Sequence, residues 1–231
     1  MGLRILTILA LGLGLAGCVT HTSTLEPASE ASFTSRDKEL LAKAPYQKAV
    51  LAEPYRRHIV NYHRKEAPGS IVVDSDARYL YYVLSDTKDG KRRAIRYGIA
   101  VGEEALSFSG IAKVGRLAEW PSWTPTQNIK KRLEGIPNFV GPGPHNPLGA
   151  RALYLYANNK DTLFRIHGTN QPDMIGEAVS SGCIRMTNED IIDLYNRTKM
   201  GTIVVVLAPK QGDSPTNPRV AFSLTEPIFG H

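Results

Sequence analysis

The feature that most constrains the fold is a series of short β-rich segments between residues 69 and 207. Each segment is rich in Val, Ile, Leu and Tyr and is bounded by Gly, Pro, Asp or Asn, as is typical of strands in a β-rich domain. We therefore predict a mainly β fold of the β-rich α+β class, with sandwich-like or barrel-like sheets and a few short helices. The predicted strands are 70–74, 78–84, 93–101, 107–117, 152–157, 162–166 and 202–207.

One helix is predicted between the last two of these strands. Thr187 is a suitable N-cap residue, and Asp190 three positions later resembles the acidic partner of a capping box. Gly201 fits the region where the helix ends. The apolar face of this helix is formed by Ile191, Ile192, Leu194 and Tyr195.

Composition excludes several classes of protein. Cys18 and Cys183 are the two cysteines among 231 residues, so a disulfide-rich scaffold is excluded. The excess of 28 Lys and Arg over 22 Asp and Glu gives a net charge of +6, a modest basicity that favours anionic surroundings. We find no zinc-like cluster and no phosphate-binding glycine loop, and therefore expect neither a metal nor nucleic acid as a partner.

The N-terminal segment has the pattern of an export signal. Arg4 is followed by an uncharged apolar run, residues 5–15, and then by Ala16-Gly17-Cys18. The run is too short for a membrane span, which needs about 20 residues, but it suits a signal-peptide core. Leu15 to Cys18 resembles the bacterial lipobox, which implies removal of residues 1–17 and lipidation of Cys18. The alternatives are an ordinary signal peptide and a buried N-terminal helix.

Export has two consequences for the mature chain. We expect it in the periplasm, anchored to a membrane through Cys18, and Val19 favours the outer membrane by analogy with bacterial sorting rules. With Cys18 occupied by lipid, Cys183 has no partner within the chain. An unpaired thiol in an oxidising compartment calls for a chemical explanation.

Composition also divides the chain. We predict a flexible tether at 18–35, a basic N-terminal extension at 36–68, the β-rich domain at 69–208 and an irregular tail at 209–231. Two interpretations of the basic extension stay open. It is either an arm that faces an anionic wall or lipid surface, or a solvated extension packed on the edge of the domain.

The candidate site lies in residues 166–186. His167 ends a predicted strand, and Cys183 follows it by 16 positions, between a Ser-Ser-Gly turn and the predicted helix. A strand end and a helix start are firm supports that can hold the two side chains at a fixed separation. This spacing allows the imidazole and the thiol to meet in space.

A Cys–His pair suits acyl transfer. A free thiol has a pKa of about 8.5, so an adjacent imidazole that takes its proton makes the sulfur nucleophilic. Backbone N–H groups around Ser181, Gly182 and Cys183 can point at a developing oxyanion, and Gly182 lets substrate approach closely. The alternative is that Cys183 is a small buried hydrophobic residue and that His167 caps a strand.

The site segments resemble those of the YkuD-type L,D-transpeptidases of bacterial cell walls. That family has His-Gly-Thr followed by Ser-His-Gly-Cys, a hydrophobic residue and Arg or Asn. This chain has His167-Gly168-Thr169 and Ser180 to Arg185, and Asn146-Pro147-Leu148-Gly149 is similar as well. The resemblance covers residues 70–207. It implies an L,D-transpeptidase catalytic domain in which Cys183 is the nucleophile and His167 the general base and acid, with Ser181 and Gly182 beside them.

The sequence departs from the family pattern at Ser181, where many members have histidine. Ser181 can still hydrogen-bond His167 or donate to the oxyanion. Arg185 matches a family position, where it either pairs with a substrate carboxylate or holds the loop through an internal salt bridge. Gly168 and Thr169 are predicted, with Arg185, to bind substrate.

The resemblance implies an enzyme of peptidoglycan. The donor would be a tetrapeptide stem that loses its terminal D-alanine, and the acceptor an amine of a second stem, giving a 3→3 cross-link, or of an outer-membrane protein or lipoprotein. No cofactor is implied. Two alternatives stay open, namely an L,D-carboxypeptidase or hydrolase of the same linkages and a non-catalytic lipoprotein that binds the wall.

Overall fold

The structure, a computed structural model, describes residues 23–24, 32–45, 51–88, 90–102, 108–132, 134–179 and 184–212. Of the predicted site, His167, Gly168, Thr169 and Arg185 are described. Ser181, Gly182 and Cys183 lie outside the described residues, as do Cys18, the predicted signal peptide and most of the predicted tail.

In the described residues, twelve strands form one mixed sheet in the order β1-β2-β5-β4-β3-β12-β7-β8-β9-β11-β6-β10. The strands are β1 Ser23–Thr24, β2 His58–Asn61, β3 Ile71–Asp74, β4 Tyr79–Val83, β5 Arg93–Gly98, β6 Ala100–Gly102, β7 Gly110–Glu119, β8 Arg151–Ala157, β9 Lys160–His167, β10 Ala178–Val179, β11 Ile184–Arg185 and β12 Ile203–Val206. The predicted mainly β class is confirmed, and each predicted strand is present with small shifts in its bounds, except that the predicted strand 93–101 is divided into β5 and β6.

The helices are few and short. They are α1 Ser35–Ala42, α2 Gln127–Arg132 and α3 Asn188–Arg197, with 3-10 turns at Glu53–Tyr55 and Pro172–Met174. Helix α3 begins where predicted, because the Thr187 hydroxyl accepts a hydrogen bond from the Asp190 amide at 3.1 Å. It ends at Arg197, and Gly201 lies in a turn beyond it. None of the described helices is long and apolar enough to cross a membrane.

The sheet curls back on itself through the segment that contains β5 and β6. β5 and β6 are separated only by Ile99. β5 pairs with β4 and β2, whereas β6 pairs with β11 and β10 at the other end of the sheet. One continuous segment therefore joins the two ends, and the side chains between them form an enclosed core, in agreement with the sandwich-like or barrel-like expectation.

The core is built from the inward positions of the strands and from one face of α3. Period-2 alternation places Leu153 and Leu155 of β8 and Ile166 of β9 on the inner side, where they contact Ile191 and Leu194 of α3. All five are almost fully buried, which contributes about 1.5–3 kcal/mol per side chain. The core thus fixes the orientation of β9, and with it the side of the sheet on which His167 lies.

The N-terminal part packs against the same body. Strand β2 extends the sheet beside β5, and β1 pairs with β2. Phe33, Leu40 and Leu41 pack on a buried cluster formed by Trp120, Ala150 and Ile192. Helix α1 therefore has an apolar face against the domain, while its basic side chains Arg36, Lys38 and Lys43 stay exposed.

Candidate active site

His167 lies at the last position of β9, between two neighbouring strands. It pairs in register with Ala152 of β8 on one side and with Arg185 of β11 on the other. Its carbonyl accepts a hydrogen bond from the Met186 amide at 2.8 Å. Only 4% of the residue is exposed, so the predicted base is held firmly by backbone pairing on both sides.

The local contacts of His167 define its protonation state. The Nδ1 atom lies 2.6 Å from the Gly168 carbonyl oxygen, which can only accept, so Nδ1 carries the proton and Nε2 keeps its lone pair. Burial, together with the positive charge of Arg185, lowers the pKa of His167 to about 3. The ring is therefore neutral near pH 7 and can accept a proton at Nε2.

Strand β11 brings the second half of the predicted site toward the first. Ile184, the residue that follows Cys183 in the chain, pairs in parallel register with Ile166 of β9 and antiparallel with Val101 of β6. This strand was not predicted from the sequence, where residues 184–186 were only placed between Cys183 and the predicted helix. The signal was weak because only two residues, Ile184 and Arg185, form the strand.

Two glycines allow the backbone segments around His167 to pack closely. A Cβ atom on Gly168 would overlap Asn188 Oδ1, and one on Gly149, which has a φ of +61°, would lie 2.6 Å from the Thr169 amide nitrogen. Gly168 was predicted to bind substrate. That substrate contact stays a prediction, and in the structure the Gly168 amide donates to the Arg151 carbonyl at 3.0 Å.

Asn188 links three parts of the site and was missed by the sequence analysis. Its Oδ1 accepts from the Ala150 amide at 2.8 Å, and its Nδ2 donates to the Thr169 carbonyl at 3.0 Å. It is the first residue of α3 and is 2% exposed. The available signal was a polar residue three and four positions before the apolar Ile191 and Ile192 of the same helix.

The remaining predicted binding residues have partners within the chain. The Thr169 hydroxyl accepts from the Gln171 amide at 3.0 Å, and Thr169 is 1% exposed. Arg185 is half-buried and donates to Gln171 Oε1 at 3.3 Å. Arg185 and Thr169 therefore support the loop that follows His167, and the substrate contacts predicted for them stay predictions.

Asn146 organises the loop that faces this segment. Its Nδ2 donates to the carbonyls of Pro121, Val140 and Gly141, and its Oδ1 accepts from the Leu148 amide at 2.8 Å. The neighbouring His145 carbonyl accepts from Asn170 Nδ2 at 3.1 Å. The Asn-Pro-Leu-Gly segment thus fixes the loop against the residues that follow His167.

Helix α1 supports the site from the other side of β8. Asp37 accepts hydrogen bonds from both terminal nitrogens of Arg151 and from the Trp120 indole at 2.8 Å. The Trp120 amide in turn donates to the Ala150 carbonyl at 2.7 Å. Trp120 is therefore a buried anchor.

The described residues include no cluster of three or more His, Cys, Asp or Glu side chains that could hold a metal ion.

Known proteins resemble this chain across the same region. Residues 68–206 match a family model described as YkuD, the L,D-transpeptidase catalytic domain. "Probable L,D-transpeptidase ErfK/SrfK" of Escherichia coli K12 is 38% identical over 141 residues, which is 59% of this chain and 43% of the relative. "Probable L,D-transpeptidase YbiS" of the same organism is 36% identical over 140 residues, 58% of this chain and 43% of the relative.

The chain thus spans less than half the length of these two relatives. Among solved structures, a "Probable carnitine operon oxidoreductase" from Brucella melitensis is 44% identical. The match covers 68% of this chain and 96% of that one, with a TM-score of 0.45. A TM-score this low supports no inference about shared activity.

Proposed function

The chain belongs to the L,D-transpeptidase family, whose catalytic-domain model matches residues 68–206, and from that premise we propose that it acts on peptidoglycan stem peptides through a cysteine acyl-enzyme. In this proposal Cys183 is the nucleophile and His167 the general base and acid. Backbone N–H groups near Ser181 and Gly182 would donate hydrogen bonds to the oxyanion. Ser181 occupies the position where many members of the family have histidine.

One observation carries the proposal. The parallel pairing of β9 with β11 places Ile184 beside Ile166 and Arg185 beside His167. Ile184, the residue after Cys183, is the first residue of β11, and β11 pairs directly with β9, the strand that ends at His167. Consecutive Cα atoms are about 3.8 Å apart, so the chain connects Cys183 to this strand over a short distance. This register supports a thiol and an imidazole in the same neighbourhood, as the sequence predicts.

The state of His167 supports its role as a base. Its ring is neutral, and Nδ1 is occupied by the Gly168 carbonyl, so Nε2 is the atom available to a thiol. The Gly168 carbonyl fixes the tautomer of His167, so the ring does not have to reorient before Nε2 accepts a proton. The chemistry this favours is a proton transfer that accompanies attack by sulfur.

The proposed reaction has two balanced halves. The Cys183 thiol gives its proton to His167 Nε2 while sulfur attacks the carbonyl of the third stem residue. The C–N bond to the terminal D-alanine breaks, and its amine takes the proton from His167. An acceptor amine then attacks the thioester, loses its proton to His167, and the proton returns to the sulfur as the thiol leaves.

The acceptor and the location complete the proposal. The acceptor is the side-chain amine of a second stem, which gives a 3→3 cross-link, or an amine of an envelope protein. We also propose that lipidation of Cys18 anchors the mature chain in the periplasm, at the outer membrane. The segment from Cys18 to Phe33, just before α1, would then link the lipid to the folded body.

Intact-mass measurement with a carbapenem tests the chemistry. We expect one covalent adduct that digestion maps to Cys183, no adduct in Cys183→Ala, and slower adduct formation in His167→Ala. His63→Ala is the matched control, because this histidine is exposed and lies before β3. A folded wild-type protein that forms no adduct would count against the proposal and in favour of a non-catalytic wall-binding protein.

Product analysis separates transfer from hydrolysis. A tetrapeptide donor incubated with an amine acceptor should yield a cross-linked dimer together with free D-alanine. Release of D-alanine without any dimer would assign the carboxypeptidase activity instead.

A further inference from the structure

A row of three side chains crosses the sheet next to His167. Arg116 of β7 pairs in register with Tyr154 of β8, and Tyr154 pairs with Arg165 of β9. The guanidinium carbons of the two arginines lie 3.7 and 4.3 Å from the centre of the Tyr154 ring. We call Arg116, Tyr154 and Arg165 the cationic row.

The cationic row lies on the same face of the sheet as His167. Arg165 and His167 are two residues apart on β9, and residues at this spacing share a face. Tyr154 and Ala152 have the same relation on β8, where Ala152 pairs with His167. The intervening Ile166 points into the core on the opposite side. The cationic row is therefore one row away from His167, at about 7 Å along the strands.

This face becomes more exposed with distance from His167. Ala152 is fully buried and His167 is 4% exposed, whereas Tyr154 is 8% exposed and Arg116 is exposed. The Arg116 end of the cationic row is therefore open to solvent.

The cationic row carries excess positive charge. Asp161 binds both terminal nitrogens of Arg165, at 2.7 and 2.8 Å. Two guanidinium groups therefore share one carboxylate, and the field of Arg116 also reaches Asp161. The charge of Arg165 contributes to the lowered pKa of His167, after burial and Arg185. An anion bound at the cationic row would lie in a favourable field close to the reacting groups.

We propose that the cationic row is a subsite for a free carboxylate of the donor stem peptide, which makes the protein selective for anionic donors. This inference rests on the proposed function and specifies which chemical group of the donor the sheet binds. The 7 Å separation corresponds to about two residues of an extended peptide at roughly 3.3 Å each. The recognised carboxylate is therefore within about two residues of the carbonyl that is acylated.

The residue types suit this role. A guanidinium stacked on an aromatic ring keeps its N–H edges free to bind a carboxylate in a bidentate manner. The ring also restrains the long side chain, so less conformational freedom is lost when the ligand binds. Arg116 supplies the binding edge because it is exposed, and Tyr154 holds it in position.

Binding measurements in the Cys183→Ala background test the subsite without requiring turnover. The probes are two synthetic tetrapeptide stems that differ at one group, the carboxyl group nearest the third residue. This group is a free carboxylate in one stem, the acid, and a carboxamide in the other, the amide. We expect the acid to bind more tightly than the amide, and Arg116→Gln to reduce that ratio of dissociation constants by about threefold to tenfold. Arg116→Lys, which keeps the charge but not the planar fork, should restore only part of the preference.

Arg93→Gln is the matched control, because Arg93 is an exposed arginine at the start of β5 and lies outside the cationic row. It should leave the acid-to-amide ratio unchanged. Equal binding of the two stems, an equal loss for both stems in Arg116→Gln, or no binding of either at millimolar concentration would overturn the subsite. Loss of turnover in the wild-type protein with the binding preference intact would overturn only the proposed function.

Discussion

Asp37 and Arg151 form an ion pair that is almost fully buried, with 2.7 Å between Asp37 Oδ2 and Arg151 Nη2 and side-chain exposures of 0% and 2%. Burial alone would raise the pKa of Asp37, but hydrogen bonds from Arg151, Thr34 and Trp120 outweigh it and hold the pKa at about 2. The pair joins α1, which precedes the family domain, to the first residue of β8. The Arg151 carbonyl also accepts a hydrogen bond from the amide of Gly168, the residue that follows His167. The buried ion pair is therefore linked to the backbone beside His167.

Replacing Asp37 by alanine should strongly destabilise the protein, because it leaves the guanidinium of Arg151 buried without its carboxylate. Loss of one partner of a buried ion pair costs about 3–5 kcal/mol. Urea unfolding followed by circular dichroism measures the free energy of unfolding. Glu39→Ala on the exposed side of α1 is the control and should leave it essentially unchanged, since Glu39 pairs with Lys43 in solvent. Similar effects of the two substitutions would contradict the buried role of Asp37.

Gly168→Ala should impair both stability and activity. The new Cβ would overlap Asn188 Oδ1 and lie 3.0 Å from the Ala150 amide nitrogen. Such overpacking costs about 1–3 kcal/mol and displaces the segment next to His167. Gly141→Ala is the matched control, because its nearest neighbour would be an ordinary contact at 4.0 Å. Thermal unfolding together with the rate of carbapenem acylation checks this prediction, and a fully active Gly168→Ala protein would refute it.

Asn188→Ala should lower stability by about 1–3 kcal/mol, because it leaves the Ala150 amide and the Thr169 carbonyl buried without their partner. We also expect slower acylation, since Thr169 follows His167 by two residues. Asn196→Ala, at an exposed position of the same helix, serves as the control and should keep wild-type stability. The two variants can be compared by urea unfolding and adduct kinetics, and equal behaviour would argue against a bridging role for Asn188.

His167 should make the stability of the protein depend on pH. Its pKa is about 3 in the folded state and 6.5 as the reference value, so below pH 6.5 the unfolded chain binds a proton that the folded chain excludes. The stability contributed by the neutral ring is complete above pH 6.5 and is lost as the pH falls toward 3. In His167→Gln this dependence disappears.

The measurement is the difference in unfolding free energy between wild type and His167→Gln at several pH values from 7 to 4.5. As the pH falls, the unfolding free energy of the wild type should decrease relative to that of His167→Gln by up to about 1.4 kcal/mol per pH unit. Other titrating groups are common to both proteins and cancel. Parallel curves for the two proteins would mean that His167 is not held neutral by burial.

The sequence predicted much of the fold because its signals are local. The β-branched, aliphatic and aromatic residues of Ile71–Asp74, Arg151–Ala157 and Ile203–Val206 favour strands through the residue types within each short segment. The start of α3 follows from Thr187, whose hydroxyl satisfies an amide three residues later. His167 at a strand end was predicted correctly for the same reason, and the family resemblance added the chemistry expected of that position.

The pairing of distant segments could not be predicted in this way. Strand β11 has only Ile184 and Arg185, too few residues for a periodic pattern, and exists because β9 and β6 lie on either side of it. The cationic row could not be predicted from the sequence either, because the register of three strands brings Arg116, Tyr154 and Arg165 together.

The sequence by itself determined the strand content, the capped helix and the residue types suited to acyl transfer, because these depend on neighbours within a few positions. Only the tertiary structure decided that Asp37 meets Arg151 across 114 positions and that Asn188 joins Ala150 to Thr169. These partners are selected by burial, which forces each polar group to find a hydrogen bond inside the folded protein. The enclosed core, and not the local pattern, therefore sets the environment in which His167 stays neutral.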